Sequence, residues 1–367
     1  MLLLGSPAKL GCSARPLSAL TLALSLAVVG CGGGFDPGSE IKSLRVLGVN
    51  KDKPYPLPGE EVDLTLLWAD GLAAERTESV RVSWFMKGPA DSPEPPCINP
   101  PGDLYYGCFQ DLAPRNPSDP FIHTGSTFRF TVPSNIVSSR PPPLAGQPAY
   151  GLVYAFFAVC AGEVGFAVPT QEGALPLVCR NAAGEQLGPD DFVAGYVSLY
   201  VFADGFRNQA PEVKSGFEVG GNLLKEDCVG TDCVGPDGPV SFDEVDSIDC
   251  ATEPERCFKV CSDDGDASCP KIEIRPQLDS SIAERDEVSA KYYSRDVGEQ
   301  MWINYYVDRG GLKSEARLLN DATTGWNADY GTEFYAPKDP GLVTLWSVVH
   351  DNRGGANWVR ARLRITE

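Results

Sequence analysis

From residue 41 onward, apolar residues recur at every second position in short runs broken by Gly, Pro, Asp and Asn. Glu61 to Trp68 places Val62, Leu64, Leu66 and Trp68 on one face, and Val80 to Met86 does the same with Val80, Val82, Trp84 and Met86. Period two over this length predicts half-buried antiparallel strands. Ile41 to Val49 and Ser126 to Val132 read the same way, the latter with Phe128, Phe130 and Val132 inward. Tyr150 to Cys160 and Phe192 to Ala203 are apolar on both faces. They read as central, paired strands covered on both sides. About seven strands over residues 41–206 match the size of an immunoglobulin-like sandwich with long loops.

The pattern resets at Arg207-Asn208-Gln209-Ala210-Pro211. Strands are then expected at Val213 to Val219, Lys271 to Arg275, Glu287 to Tyr293, Met301 to Val307, Leu342 to His350 and Trp358 to Ile365. Long stretches of helical period are missing after residue 31, so the expected class is all-β. The expected organisation is a first sandwich over 41–206 and a second over 207–367, the second interrupted by a cysteine-rich insertion at 227–270.

The start of the chain reads differently. Leu17 to Gly30 is fourteen residues without a charge, preceded by Lys9 and Arg15. That suits the apolar region of an export signal and falls short of the roughly 20 residues a membrane-spanning helix needs. It ends Val28-Val29-Gly30-Cys31, which resembles the lipobox of bacterial lipoprotein precursors. The resemblance implies cleavage after residue 30, acylation of Cys31 and a lipid-anchored cell-envelope protein, in the outer membrane. Residues 31–40, beginning Gly32-Gly33-Gly34 after the cysteine, read as a flexible tether. The order along the chain then puts the first sandwich next to the membrane and the second at the far end.

Cysteine usage fits an exported chain. Apart from Cys12 and Cys31, ten remain: Cys97, Cys108, Cys160, Cys179, Cys228, Cys233, Cys250, Cys257, Cys261 and Cys269. An even number outside the cytoplasm reads as disulfides. Cys97 pairs with Cys108 and Cys160 with Cys179 as isolated neighbours. The last six leave their connectivity open. No C-x-x-C occurs and no histidine lies near, which disfavours a zinc cluster.

Net charge is −19, and −21 once Lys9 and Arg15 leave with the signal. Such a chain is a poor nucleic-acid binder, because phosphate contacts need Lys and Arg. Two histidines follow the signal, His123 and His350. Ser347, His350 and Asp351 are close in sequence, but residues three apart on a strand point to opposite faces. No G-x-S-x-G, H-E-x-x-H or phosphate-binding loop is present. A non-enzymatic role is therefore expected. The alternative is an envelope hydrolase or enzyme accessory subunit with a site built from loops.

Three features are candidate binding sites. Asp263, Asp264 and Asp266, between Cys261 and Cys269, offer hard oxygen ligands for calcium, which would make the protein a calcium-rigidified stalk. On the last strand, Val359, Ala361, Leu363 and Ile365 face the core, so Trp358, Arg360, Arg362 and Arg364 form a stripe on the opposite, exposed face. It reads as edge protection, or as a contact for an acidic partner, a sugar or the acidic insertion. Tyr105, Tyr106 and Phe109 sit in or beside the 97–108 loop, where a staple would hold aromatics rigidly for an envelope protein or polysaccharide.

A resemblance bears on the fold. Tyr335 to Gly355 carries a Pro340-Gly341 turn, an apolar strand and an Asp351-Asn352-Arg353-Gly354-Gly355 hairpin. It resembles the end of a PKD or cadherin-like sandwich. Ile41 to Val49, leading to Pro58-Gly59-Glu60-Glu61-Val62, is similar to the first two strands of such a module. The chain as a whole resembles the multi-domain surface lipoproteins of myxobacteria. These likenesses imply two immunoglobulin-like sandwiches and an envelope role in adhesion, assembly or ligand binding, and no particular activity.

Overall fold

A computed structural model describes residues 38–87, 93–108, 122–167, 174–239, 248–261 and 269–367. The expected signal, Cys31, Phe109 and the aspartates at 263, 264 and 266 lie outside these residues. The described chain is all-β. Its first half contributes β1 (Leu44–Lys51), β2 (Glu61–Asp70), β3 (Arg81–Phe85), β4 (Cys97–Ile98), β5 (Ile122–Thr124), β6 (Thr127–Thr131), β7 (Tyr150–Cys160), β8 (Glu163–Phe166), β9 (Leu177–Arg180) and β10 (Phe192–Phe202). One sheet runs β1-β2-β6 and the facing sheet runs β10-β7-β3-β5, with β4 pairing β7. Between them lie Val62, Leu64, Leu66, Trp84, Phe128 and Phe157. Trp84 stacks on Phe128 at 5.7 Å and meets Phe157 edge-on at 5.6 Å.

Strand β7 is apolar on both faces because it is covered twice. Val153, Ala155, Phe157 and Val159 face the sandwich core. Leu152, Tyr154, Phe156 and Ala158 face a second, outer core that holds Cys97, Cys108, Cys160 and Cys179. These cysteines form the 97–108 and 160–179 disulfides. Each staple closes a short loop over the outer face of the sheet.

The second half contributes β11 (Phe217–Val219), β12 (Asn222–Leu224), β13 (Cys228–Val229), β14 (Val234–Gly235), β15 (Gly238–Pro239), β16 (Cys257–Lys259), β17 (Ile272–Pro276), β18 (Met301–Val307), β19 (Gly311–Leu312), β20 (Ala316–Asp321), β21 (Gly325–Trp326), β22 (Thr332–Tyr335), β23 (Gly341–Asp351) and β24 (Ala356–Thr366). One sheet is β12-β11-β17-β22-β19; the other is β13-β24-β23-β18-β20-β21, with β16 also pairing β24. Met301, Ile303, Tyr305, Phe334, Leu345 and Leu363 fill the space between them. The remaining six cysteines pair with their sequence neighbours, 228–233, 250–257 and 261–269.

One expected strand is a helix. Glu287–Tyr292 forms α1, because the Asp286 carboxylate accepts from the Ser289 amide at 2.9 Å and from its hydroxyl at 2.7 Å. An Asp N-cap satisfies a donor that a helix start otherwise leaves unpaired.

The two sandwiches are not strung end to end. Ile41, Leu47, Leu67 and Ala69 of the first pack with Trp346, Val348 and Trp358 of the second, and with Cys233, in one buried cluster. The β1–β2 register shifts between Val46 and Gly48, leaving Leu47 as a bulge. A bulge bends a strand and changes its phase. Val46 and Val49 thereby keep to the first core while Leu47 serves the interface. Gly48 permits the close approach, since a Cβ there would lie 3.2 Å from Val348 Cγ1 and 3.5 Å from the Trp358 ring.

The insertion ties the two halves together. Its β13 adds to β24, pairing Cys228 with Arg360. The Pro236 carbonyl, in the β14–β15 turn, then accepts from the Ser126 amide of the first sandwich at 3.0 Å. Gly238 lies against the Trp68 ring, where a Cβ would come within 2.7 Å.

Residues 39–41 are not free either. Ile41 donates to the Val307 carbonyl at 2.8 Å, and Val307 donates to the Ser39 carbonyl at 2.9 Å. Ser39 is buried, so the tether expected over 31–40 does not include it.

Candidate functional site

The stapled loop is held at several points. Asn99, at φ +46°, donates to the Ile136 carbonyl at 2.6 Å and accepts from the Leu152 amide at 2.8 Å. Asp103 takes two bonds from Arg140, at 2.8 and 3.2 Å, and a further one from the Tyr150 hydroxyl. The Tyr154 hydroxyl donates to the Asp103 carbonyl at 2.8 Å. Burial pushes the Asp103 carboxyl up, but the Arg140 and Tyr150 hydrogen bonds outweigh it and hold it below the usual range. Burial and the Asp103 hydrogen bond push the Tyr150 phenol up.

This fixed loop lays Tyr105 over Tyr196 of β10, ring centroids 4.3 Å apart and stacked. Tyr154 meets Tyr196 edge-on at 5.3 Å. Tyr106 and Tyr196 are each 41% exposed, while Tyr105 is half-buried. Tyr105 and Tyr196 wall a groove of about 360 Å³ floored by Leu175, Leu177, Phe192 and Ala194. Sequence reasoning found Tyr105 and Tyr106 but not Tyr196. The signal was present, since Phe192, Ala194 and Tyr196 share one face of β10.

The Trp–Arg stripe is corrected in its exposure, while its expected contact with the acidic insertion is present. Trp358, Arg360 and Arg362 are buried and only Arg364 is half-exposed. Their opposite-face partners Val359, Ala361, Leu363 and Ile365 do lie in the second core. The stripe faces away from that core as expected, but β1, β2 and the insertion cover it. It cannot be edge protection, because β24 has neighbours on both sides. Asp227 accepts from Arg362 Nε at 3.2 Å and lies 3.6 Å from Arg256 Nη1. Burial holds the Asp227 carboxyl above the usual range against the pull of these arginines.

Neither histidine lines this groove. Ser347 pairs across the sheet with Tyr305 and Val359, on the core side, whereas His350 pairs with Trp302 and Ala356 on the other face. His350 stacks on Trp302 at 5.3 Å, and burial pushes its imidazole down to about 4 despite nearby Asp351. The His123 ring nitrogen sits 3.1 Å from the Thr127 carbonyl.

Buried polar and charged groups lie on both sides of the joint, where the linker meets the end of β23. Arg353 donates to Glu299 at 2.6 Å and to Glu284 at 2.7 Å. Burial pushes Glu299 up to about 7, although Arg353 pulls the other way. Lys51 donates to the Ser198 carbonyl at 2.8 Å, and burial brings it down to about 8. Asn208, in the linker, donates to Asp351 at 3.0 Å. Among the described residues there is no group of three or more His, Cys, Asp or Glu placed to hold a metal ion.

No protein family matches the chain, and no curated protein matches it. Among solved structures, it is similar to the fibronectin(III)-like modules of Clostridium thermocellum CbhA, at 10% identity and TM-score 0.17, over 86% of this chain and 92% of that one. It is also similar to the three N-terminal domains of the bacteriophage RB49 highly immunogenic outer capsid protein, at 10% identity and TM-score 0.17, over 89% of this chain and all of that one. The double-sandwich architecture rests on the sheets described above.

Proposed function

We propose that the chain is a lipid-anchored envelope protein that binds rather than catalyses, and that the tyrosine-walled groove is its contact with a neutral polysaccharide. The observation that carries the reading is Tyr105 stacked on Tyr196 beside an apolar floor, on a loop pinned by a disulfide and by Asp103. Sugar rings present apolar C–H faces to aromatic rings and hydroxyls to the rim, and tyrosine serves both needs. A net charge of −19 disfavours a polyanionic glycan. The signal-like segment ending at Cys31 supports the anchor and the envelope address.

The groove is tested by affinity electrophoresis of the protein in gels containing neutral glycans. Tyr196→Ala and Tyr105→Ala should each weaken retardation about tenfold, the loss expected for truncating one anchoring aromatic (about 1.4 kcal/mol). Retardation unchanged in both variants would remove the site. The anchor is tested separately: Cys31→Ala should move the protein from the membrane fraction to the soluble one.

A further inference from the structure

Strand polarity sorts the described residues into two ends. One end holds Val307, Gly341, Thr366, Leu44 and Asp70; the other holds Met301, Asp351, Ala356, Lys51 and Glu61. The two sandwiches share these ends, because Ile41 pairs with Val307 at the first and the Asn50 side chain donates to the Ala356 carbonyl, at 2.7 Å, at the second. Eleven-residue strands such as β23 and β24 separate the ends by about 36 Å at about 3.3 Å per residue.

The chain enters the fold at the Val307 end. Gly38 accepts from Arg45 at 2.6 Å, and Ser39 and Ile41 bracket Val307. Cys31 precedes Gly38 by seven residues in sequence. Seven residues of chain span at most about 25 Å. An acyl anchor at Cys31 therefore holds the Val307 end within that distance of the headgroups. The opposite end would need the chain to run the length of β1 a second time. We infer that the bilayer lies against the Val307 end and that the Met301 and Ala356 end points away from it, a placement that rests on the lipoprotein reading.

The charge at the Val307 end does not supply the attraction. Exposed Lys42, Lys259 and Lys338 are offset there by Glu40, Asp339 and Glu367, and Lys42 pairs with Glu40 at 3.1 Å. The point where the chain enters the fold, rather than charge, is what favours this placement.

The outward end is one surface made by both sandwiches. Helix α1 of the second packs on residues that follow β10 of the first: Tyr292 donates to Asp204, Lys291 pairs with Asp204 at 3.1 Å, and the Tyr292 and Phe206 rings meet edge-on. It exposes Tyr293, at 58%, and Leu144, at 74%, in the loop leading to β7. The groove runs from Tyr196, midway along β10, toward Phe192, whose end of the strand lies level with Leu44.

The test uses the acylated full chain in phosphatidylethanolamine and phosphatidylglycerol vesicles carrying a headgroup acceptor dye. A donor dye is attached at Lys338→Cys, at Lys259→Cys as a second site at the same end, or at Leu144→Cys. Transfer from 338 and 259 should exceed transfer from 144 at least twofold. Equal transfer, or more from 144, overturns the orientation. Flotation with Cys31→Ala separates the two readings. A wild type that fails to float, or a variant that floats as well as wild type, fails the anchor itself and takes this placement with it.

Discussion

Two stretches carry aromatic and polar side chains that point away from their own sandwich core: the β24 stripe and the stapled loop with its β10 partner. They differ in what lies outside them. Trp358 is fully buried under β1, Leu47 and the insertion, whereas Tyr196 is 41% exposed beside an open groove. An aromatic that faces away from one core is a contact site only when no second body of the same chain claims it. In β24 the arginines report the burial indirectly. Their charge is met by the insertion's Asp227, within the same molecule.

The contrast can be broken most forcefully at its centre. Trp358→Ala should cost about 3–5 kcal/mol in chemical denaturation, as expected for a fully buried aromatic. Tyr196→Ala should cost under about 1 kcal/mol, because its ring is partly in water already. Similar losses in the two variants would erase the distinction. A smaller effect sharpens the same point from the other side of the interface. Gly48→Val adds atoms where a Cβ already lies 3.2 Å from Val348, and should destabilise by about 1–3 kcal/mol, against almost nothing at exposed Gly184, also a glycine but with open space around it. Only a replacement that tolerates the positive φ of Gly184, such as Asn, makes that control fair.

The smallest effect is electrostatic. Glu299 sits near 7 in the fold and near 4.5 when unfolded, so the folded state holds its proton more tightly. Stability from this group is fully present below about 4.5 and is lost as pH rises through about 7. His350 works the other way, since its depressed value near 4 makes the unfolded state the better base below about 6.5. Acidification from pH 8 to 6.5 should therefore stabilise the wild type relative to Glu299→Gln. Parallel urea-midpoint curves for the two proteins over that window would show that Glu299 keeps its proton balance unchanged on folding.

Much of the strand layout was legible because it is local. The alternation in β2 and β24 assigned core faces correctly, and the double-sided apolarity of β7 marked a strand covered twice. Cysteine neighbours in sequence turned out to be neighbours in space. Glu287–Tyr292 misled because six residues hold too little periodicity to separate strand from helix, and the deciding signal was the Asp286 cap. The interface was illegible for a different reason. Nothing in the β24 pattern separates a face turned to water from one turned to β1, because both lie opposite the same core. Tyr196 is illegible because Phe192–Phe202 is apolar along most of its length like a central strand, whereas β10 lies at the edge of its sheet with its first half only partly covered.

The bridge from Ser39 and Ile41 to Val307 also constrains the timing of folding. Ile41 bonds a residue 266 positions later, and Asn50 bonds Ala356 across 306. Contacts of such separation form slowly and late. During synthesis the first sandwich therefore emerges with Ile41, Leu47, Leu67 and Ala69 uncovered until β23 and β24 follow. A chain stalled or truncated before residue 341 presents that apolar face to proteases and to its own copies. A chaperone or protease would then find its recognition signal at the front of the molecule for a defect at its end.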